Sequence, residues 1–344
     1  MAHPDPLLLA LAAGHAVTGE RDSRGLVDSA VEHRMTGLLW SAVERGEVVL
    51  SPDERQRLSV VDMANRLREQ QIERALVEAV RRARGLGIEL VTFKGVTAAR
   101  RWYDRPGERP TSDLDLLVAP HDRARYAEIV RALNPTNDLL RDLTPEELLD
   151  WAVRDQAMNV RLEADLGAQT WSGQPVTIDL HVDLLKYGIP GRQAEEIWAH
   201  THLFELDGGE TVRVLDAEVA LVHLLLHMNR DRFAYLIAYA DVARLLRREP
   251  IDWQYVHQFV AREGLDVPVY ASLDAVTQSL GITVPAHPPI GGWRALLWKR
   301  LWSPRVRLQG LEGRKGIRRR RRWLPVMARG RAIEGMSAWI RGTS

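Results

Sequence analysis

The chain contains no cysteine in 344 residues. Disulfides, thiolate zinc sites and cysteine nucleophiles are therefore excluded, which agrees with a reducing compartment. No apolar run is long enough to span a bilayer; the early stretch Leu7 to Ala13 falls far short of the roughly 20 residues a spanning helix needs. The opening Met1-Ala-His-Pro-Asp-Pro lacks the basic region of a secretory signal. Together these absences predict a cytoplasmic protein with no membrane partner. Internal repeats and low-complexity linkers are also missing. What is present is an ordinary globular composition, 45% hydrophobic and 27% charged, enough to bury a substantial core in two or three packed units.

Charge of one sign does not dominate, since the formal net charge is only +1. Its distribution is uneven. Residues 305 to 344 carry Arg305, Arg307, Arg314, Lys315, Arg318 through Arg322, Arg329, Arg331 and Arg341 against Glu312 and Glu334, an excess of roughly +10. With Trp293, Trp298, Trp302 and Trp323 nearby, this basic tail has the composition of a phosphate-backbone contact, and equally of a solvated terminal helix whose tryptophans close a core. The consecutive arginines would wrap around a helix and form no single binding stripe, which favours the second reading. Another absence concerns zinc. His223 and His227 share a helix face, but Leu224-Leu-Leu226 between them lacks the glutamate that a hydrolytic zinc helix uses as its base.

The most informative stretch is Thr111-Ser-Asp-Leu-Asp-Leu-Leu-Val118. Leu114 and Leu116 alternate with Asp113 and Asp115, as in a half-buried strand. Residues i and i+2 of a strand project the same way about 6.6 Å apart, twice a rise of roughly 3.3 Å. Two carboxylates on one face suit a divalent metal such as Mg²⁺ or Mn²⁺, with coordination positions left for substrate phosphates. Upstream, Gly87-Ile-Glu-Leu-Val-Thr-Phe-Lys-Gly95 reads as a strand that ends at Lys94 and Gly95 and gives way to a helix. A glycine at such a junction lets backbone N–H groups approach an anion at the helix N-terminus. Arg109 follows in a loop marked by Pro106, Gly107 and Pro110, and its guanidinium is suited to bidentate phosphate contact.

A second polar-faced strand is predicted at Val176-Thr-Ile-Asp-Leu-His-Val182. Val176, Ile178, Leu180 and Val182 alternate with Thr177, Asp179, His181 and Asp183. Asp179 is the preferred third carboxylate, because an acid on a neighbouring strand can deprotonate an attacking hydroxyl. Asp183 is its rival, and His181 reads equally as an orienting group or as a participant.

Phe93-Lys-Gly95, Tyr103, Arg109 and Ser112-Asp-Leu-Asp-Leu-Leu-Val118 together resemble the uncharacterised nucleotidyltransferase family of the polymerase-β-like superfamily. Most of that superfamily carries Gly-Ser or Gly-Gly before the paired acids, whereas this subfamily carries Lys-Gly, as the chain does at Lys94 and Gly95. The resemblance extends over about residues 60 to 265, through Asp179-Leu-His181 to the helical region around His227 and Asp241. It implies an α+β fold, a small mixed-sheet core flanked by N-terminal and C-terminal helical regions. It implies transfer of a nucleoside monophosphate from an NTP, ATP as the first candidate, to an acceptor hydroxyl with release of pyrophosphate. Asp113, Asp115 and Asp179 would be the catalytic and Mg²⁺ or Mn²⁺-binding acids. Lys94, Gly95, Arg109 and Ser112 would hold the nucleotide phosphates, and His181, His227 and Asp241 would contact substrate. The acceptor is left open among a protein, a peptide natural product, a small molecule and RNA. Two other classes stay in view: a catalytically inactive nucleotide-binding module, and a nucleic-acid-binding protein acting through the Arg-rich tail.

The rest of the chain reads as mostly helical. Three parts are expected: a helical region over 1–86, the core over 87–215 and a helical domain with the basic tail over 216–344. Pro52 to Leu86 has the spacing of a long amphipathic helix, Thr144-Pro-Glu-Glu147 that of a helix start, and Asp207-Gly-Gly-Glu210 that of a hairpin turn.

Overall fold

A computed structural model describes residues 5–17, 25–133, 142–155, 158–162, 176–185, 193–231 and 233–289. The basic tail and the tryptophans near it lie outside the described residues. The α+β class with a mixed sheet and flanking helices is the one observed.

Two compact units are formed. The first combines the described parts of residues 1–63 and 217–289 with residues 102–104, and is helical throughout. Helix Pro6–Ala13 packs on Leu236–Arg248, and Ala217–Arg230 packs on Asp266–Leu280. Side chains fix several of the starts. Asp5 accepts from the backbone N–H of Leu7 at 2.7 Å, and Asp252 accepts from those of Gln254 and Tyr255 at 2.9 and 3.1 Å.

The second unit holds residues 64–101 and 105–216 around a six-stranded sheet. Its strands are β1 (Leu90–Thr92), β2 (Leu114–Val118), β3 (Met158–Leu162), β4 (Val176–His181), β5 (Thr201–Glu205) and β6 (Thr211–Leu215). They lie in the order β3-β4-β2-β1-β6-β5. β2 runs parallel to β4 and β1 parallel to β6, while β1–β2, β3–β4 and β5–β6 are antiparallel. The β5–β6 connection turns through Gly208 and Gly209 at φ 85° and 80°, a conformation that costs glycine little.

One face of this sheet makes the core. Leu114 and Leu116 of β2, Ile178 and Leu180 of β4, and Val212 and Val214 of β6 are buried with Ile72, Leu76, Ala79 and Ala83. The last four lie on one stripe of the helix Pro52–Gly85. Fully burying a Leu or Ile side chain contributes about 1.5–3 kcal/mol relative to exposure, so this stripe holds the helix against the strands. The helix starts at a capping box: Glu54 N–H donates to Ser51 Oγ at 3.3 Å, and Glu54 accepts from Ser51 N–H at 3.3 Å. Thr144 and Glu147 repeat that reciprocal pair at the head of helix Pro145–Asp155. Because side chains alternate along a strand, the same pattern that buries the leucines and isoleucine sends Asp115, Asp179 and His181 to the other face.

Candidate functional site

Strand pairing sets the site. Parallel β2 and β4 are in a register that places Asp115 opposite Asp179 and Leu117 opposite His181. Two carboxylates on neighbouring strands thus meet, and the imidazole two residues farther along β4 shares their face. Ligand atoms of Asp115, Asp179 and His181 all lie within 4.8 Å of one another. Among the described residues, this is the group of acids and histidines that converges closely enough to hold a metal.

Asp115 is the buried centre of the group. It accepts from Lys94 Nζ at 3.1 Å (Oδ1) and 3.3 Å (Oδ2), and His181 Nε2 stands 3.3 Å from Oδ1. Burial by itself would push the Asp115 carboxyl up. The Lys94 ammonium and the His181 ring outweigh it and hold the carboxyl well below the usual carboxylate range. Asp179 goes the other way: burial first, then the negative charge of Asp115, raises its proton affinity. The carboxyls of two acids side by side are thus shifted in opposite directions.

The chain reaches this point through a tight junction. After β1, Phe93 N–H donates to the Asp115 carbonyl at 3.4 Å, and its ring stands edge-on to His181 with centroids 5.1 Å apart. Lys94 then takes φ 65°, in the left-handed region that side chains other than glycine seldom occupy. Helix Gly95–Trp102 begins at once. A Cβ at Gly95 would stand 2.7 Å from Thr111 Cγ2, 3.5 Å from the Asp113 carbonyl and 3.6 Å from Arg109 Nη1. Only a glycine allows the loop 109–113 to close over the helix start. The Lys94-Gly95 pair, Arg109 and the acidic strand are thereby brought together.

The loop has supports that sequence reasoning missed. Glu69, buried on the long helix, accepts from Gly107 N–H at 2.5 Å, and Arg68 Nη2 donates to the Ser112 carbonyl at 2.8 Å. Burial raises the Glu69 pKa, partly offset by the Gly107 hydrogen bond. Nothing local marks Glu69; the one available signal is an acid on the buried side of an otherwise amphipathic helix.

The remaining candidates are placed as follows. Asp113 precedes β2 and is half-buried; its Oδ1 accepts from Ser112 Oγ at 3.1 Å, and it lies outside the converging group while still raising the Asp179 pKa. Ser112 is exposed. Arg109 Nη1 donates to Thr111 Oγ1 at 3.3 Å. Asp183 stands 3.6 Å from Arg123 and also lies outside the group. His227 and Asp241 belong to the helical unit. There His227 Nδ1 is 3.3 Å from Asp231, and buried Asp241 accepts from Tyr103 Oη at 2.7 Å, with Arg244 over the Tyr103 ring at 4.7 Å.

No helix among the described residues is long and apolar enough to cross a membrane. No curated protein sequence matches the chain. Among solved structures it is similar to an antigenic nucleotidyltransferase-like protein from Paracoccidioides brasiliensis, at 15% identity, over 62% of this chain and 94% of that one, with a TM-score of 0.33. Residues 19–281, which include every strand among the described residues and each residue of the converging group, match the family described as uncharacterised nucleotidyltransferase, and the chain belongs to that family.

Proposed function

We propose that this protein transfers a nucleoside monophosphate from an NTP to an acceptor hydroxyl, using a divalent metal held by Asp115 and Asp179. The observation that carries the reading is the convergence of Asp115, Asp179 and His181 on one sheet face, beside a Lys-Gly helix start and an arginine loop. The residues fit a divalent cation, because two neighbouring carboxylates supply the hard oxygens such an ion takes. A metal bound there supplies neutralisation of phosphate charge and polarisation of a phosphoryl oxygen.

The chain's own groups do the positioning. Lys94, the amides at the start of helix Gly95–Trp102 and Arg109 hold the β and γ phosphates, because phosphoryl chemistry depends mainly on placement and electrostatics. Lys94 then exchanges the Asp115 carboxylate for phosphate oxygens. The acceptor oxygen attacks the α-phosphorus, the bond from that phosphorus to the bridging oxygen breaks, and pyrophosphate leaves. Asp179, the carboxylate opposite Asp115 on the neighbouring strand, takes the hydroxyl proton. ATP is the first nucleotide to test, and the acceptor is a protein, a peptide, a small molecule or RNA.

The test is incubation with each labelled NTP, Mg²⁺ or Mn²⁺ and a lysate, followed by mass spectrometry of the labelled species. Asp115→Asn should abolish labelling while the fold persists. Full activity of that variant would reject the site. Nucleotide binding without turnover in wild type would establish the inactive binding module instead.

A further inference from the structure

We infer that His181 is itself a metal ligand, so that the site prefers a divalent transition metal such as Mn²⁺ over Mg²⁺. This deepens the proposed function and rests on it. The alternative role for His181 is to orient Asp115 through a hydrogen bond, and the geometry separates the two.

An orienting histidine stands behind one carboxylate, away from the point where the donors meet. His181 does not. It lies two residues from Asp179 on the same face of β4, and a ring nitrogen is within 4.8 Å of the donor atoms of both Asp115 and Asp179. It therefore converges with the pair. The ring is fixed in place, with only 5% of its side chain exposed and the edge-on ring of Phe93 against it. A buried imidazole held there adds little reorganisation cost when a metal is bound.

Asp113, the acid that the paired motif would supply as a ligand, stays outside the converging group and accepts from Ser112. The preassembled set is thus two oxygens and one nitrogen in place of three carboxylates. This lowers the charge of the set by one and introduces a borderline donor. Mg²⁺ favours oxygen ligands and retains its waters, whereas imidazole suits transition ions. The loss of one negative charge weakens both ions, but the nitrogen compensates only the transition metal.

The experiment loads the full chain with Mn²⁺ alone, without nucleotide, and records electron spin-echo envelope modulation together with binding isotherms for Mn²⁺ and Mg²⁺. Wild type should show the ¹⁴N modulation of directly bound imidazole and bind Mn²⁺ at least about tenfold more tightly than Mg²⁺. His181→Gln should lose the modulation, and its Mn²⁺ affinity should fall at least about tenfold, as it does when even an orienting partner is lost. His181→Asp, which offers a third carboxylate and provides a second variant should the first not fold, should lose the modulation and narrow the Mn²⁺/Mg²⁺ ratio. Mn²⁺ bound to wild type without ¹⁴N modulation, or modulation persisting in either variant, would overturn the ligand role and leave the proposed function standing. Equal Mn²⁺ binding by wild type and Asp115→Asn, or no binding by either, would overturn the metal site and this inference with it.

Discussion

Lys94→Met tests whether the lysine compensates the charge of the site. Asp115 and Lys94 form a buried ion pair at 3.1 Å, their side chains 2% and 15% exposed. Removing one member of such a pair leaves the other buried and uncompensated, at a cost of about 3–5 kcal/mol. His181 remains at 3.3 Å from the same carboxylate and offsets part of that. The expected loss at neutral pH is about 2–3 kcal/mol, which for a protein this large lowers the midpoint of thermal unfolding by about 3–4 °C. The sign with pH follows. In wild type the folded Asp115 carboxyl is held below its unfolded value despite burial, so its contribution is present above the unfolded carboxylate range and is lost as pH falls. Without the ammonium, burial pushes the carboxyl up, and the deficit of the variant should shrink on acidification. Mn²⁺ should stabilise Lys94→Met more than wild type, because no ammonium has to be displaced. Lys94→Gly is the companion variant. It loses the same charge but relieves the φ of 65°, so it should be about 1 kcal/mol more stable than Lys94→Met. Thermal unfolding followed by circular dichroism, at several pH values and with or without Mn²⁺, reads all of these. A Lys94→Met protein as stable as wild type at neutral pH would refute the charge-compensation argument.

Three further outcomes are expected. Gly95→Ala drives a Cβ to 2.7 Å from Thr111 Cγ2, an overpacking cost of about 1–3 kcal/mol, and should weaken NTP binding by displacing the Arg109 loop; unchanged affinity in an equilibrium titration would count against the loop as a phosphate site. Glu69→Gln retains an oxygen acceptor for Gly107 N–H and removes a buried charge whose folded pKa is raised; a raised carboxyl is a liability above that pKa, so the variant should equal or exceed wild type at neutral pH, with the difference closing as pH falls in denaturant titrations. Tyr103→Phe removes the donor 2.7 Å from buried Asp241 and should cost about 1–3 kcal/mol by urea unfolding, whereas a neutral result would show that other contacts carry Asp241.

The sequence by itself determined the strand alternation of Asp115 with Leu114 and Leu116, and of Asp179 and His181 with Ile178 and Leu180. A period of two with one apolar face has a single local solution, and it puts the polar residues opposite the core. It also determined the helix starts at Ser51 and Thr144 and the Gly208-Gly209 turn, because capping and positive φ depend on residues within three or four positions. The Lys94-Gly95 junction was legible as a strand-to-helix change.

Tertiary structure decided the rest. Whether Asp179 or Asp183 joins Asp115 depends on the register of two parallel strands about sixty residues apart in the chain, and that register pairs Asp115 with Asp179 while Asp183 lies beside Arg123. The periodicity of Pro52 to Leu86 specified one helix, but only packing assigned its part from Ala64 onward to the sheet unit. The role of Glu69 as the acceptor for Gly107 spans 38 residues and has no local signal. Most decisively, the paired motif predicts Asp113 and Asp115 as equal partners, whereas the fold gathers Asp115, Asp179 and His181 and leaves Asp113 hydrogen-bonded to Ser112. Local alternation fixes which face a side chain occupies; its distance from a residue on another strand is set only when the strands pair.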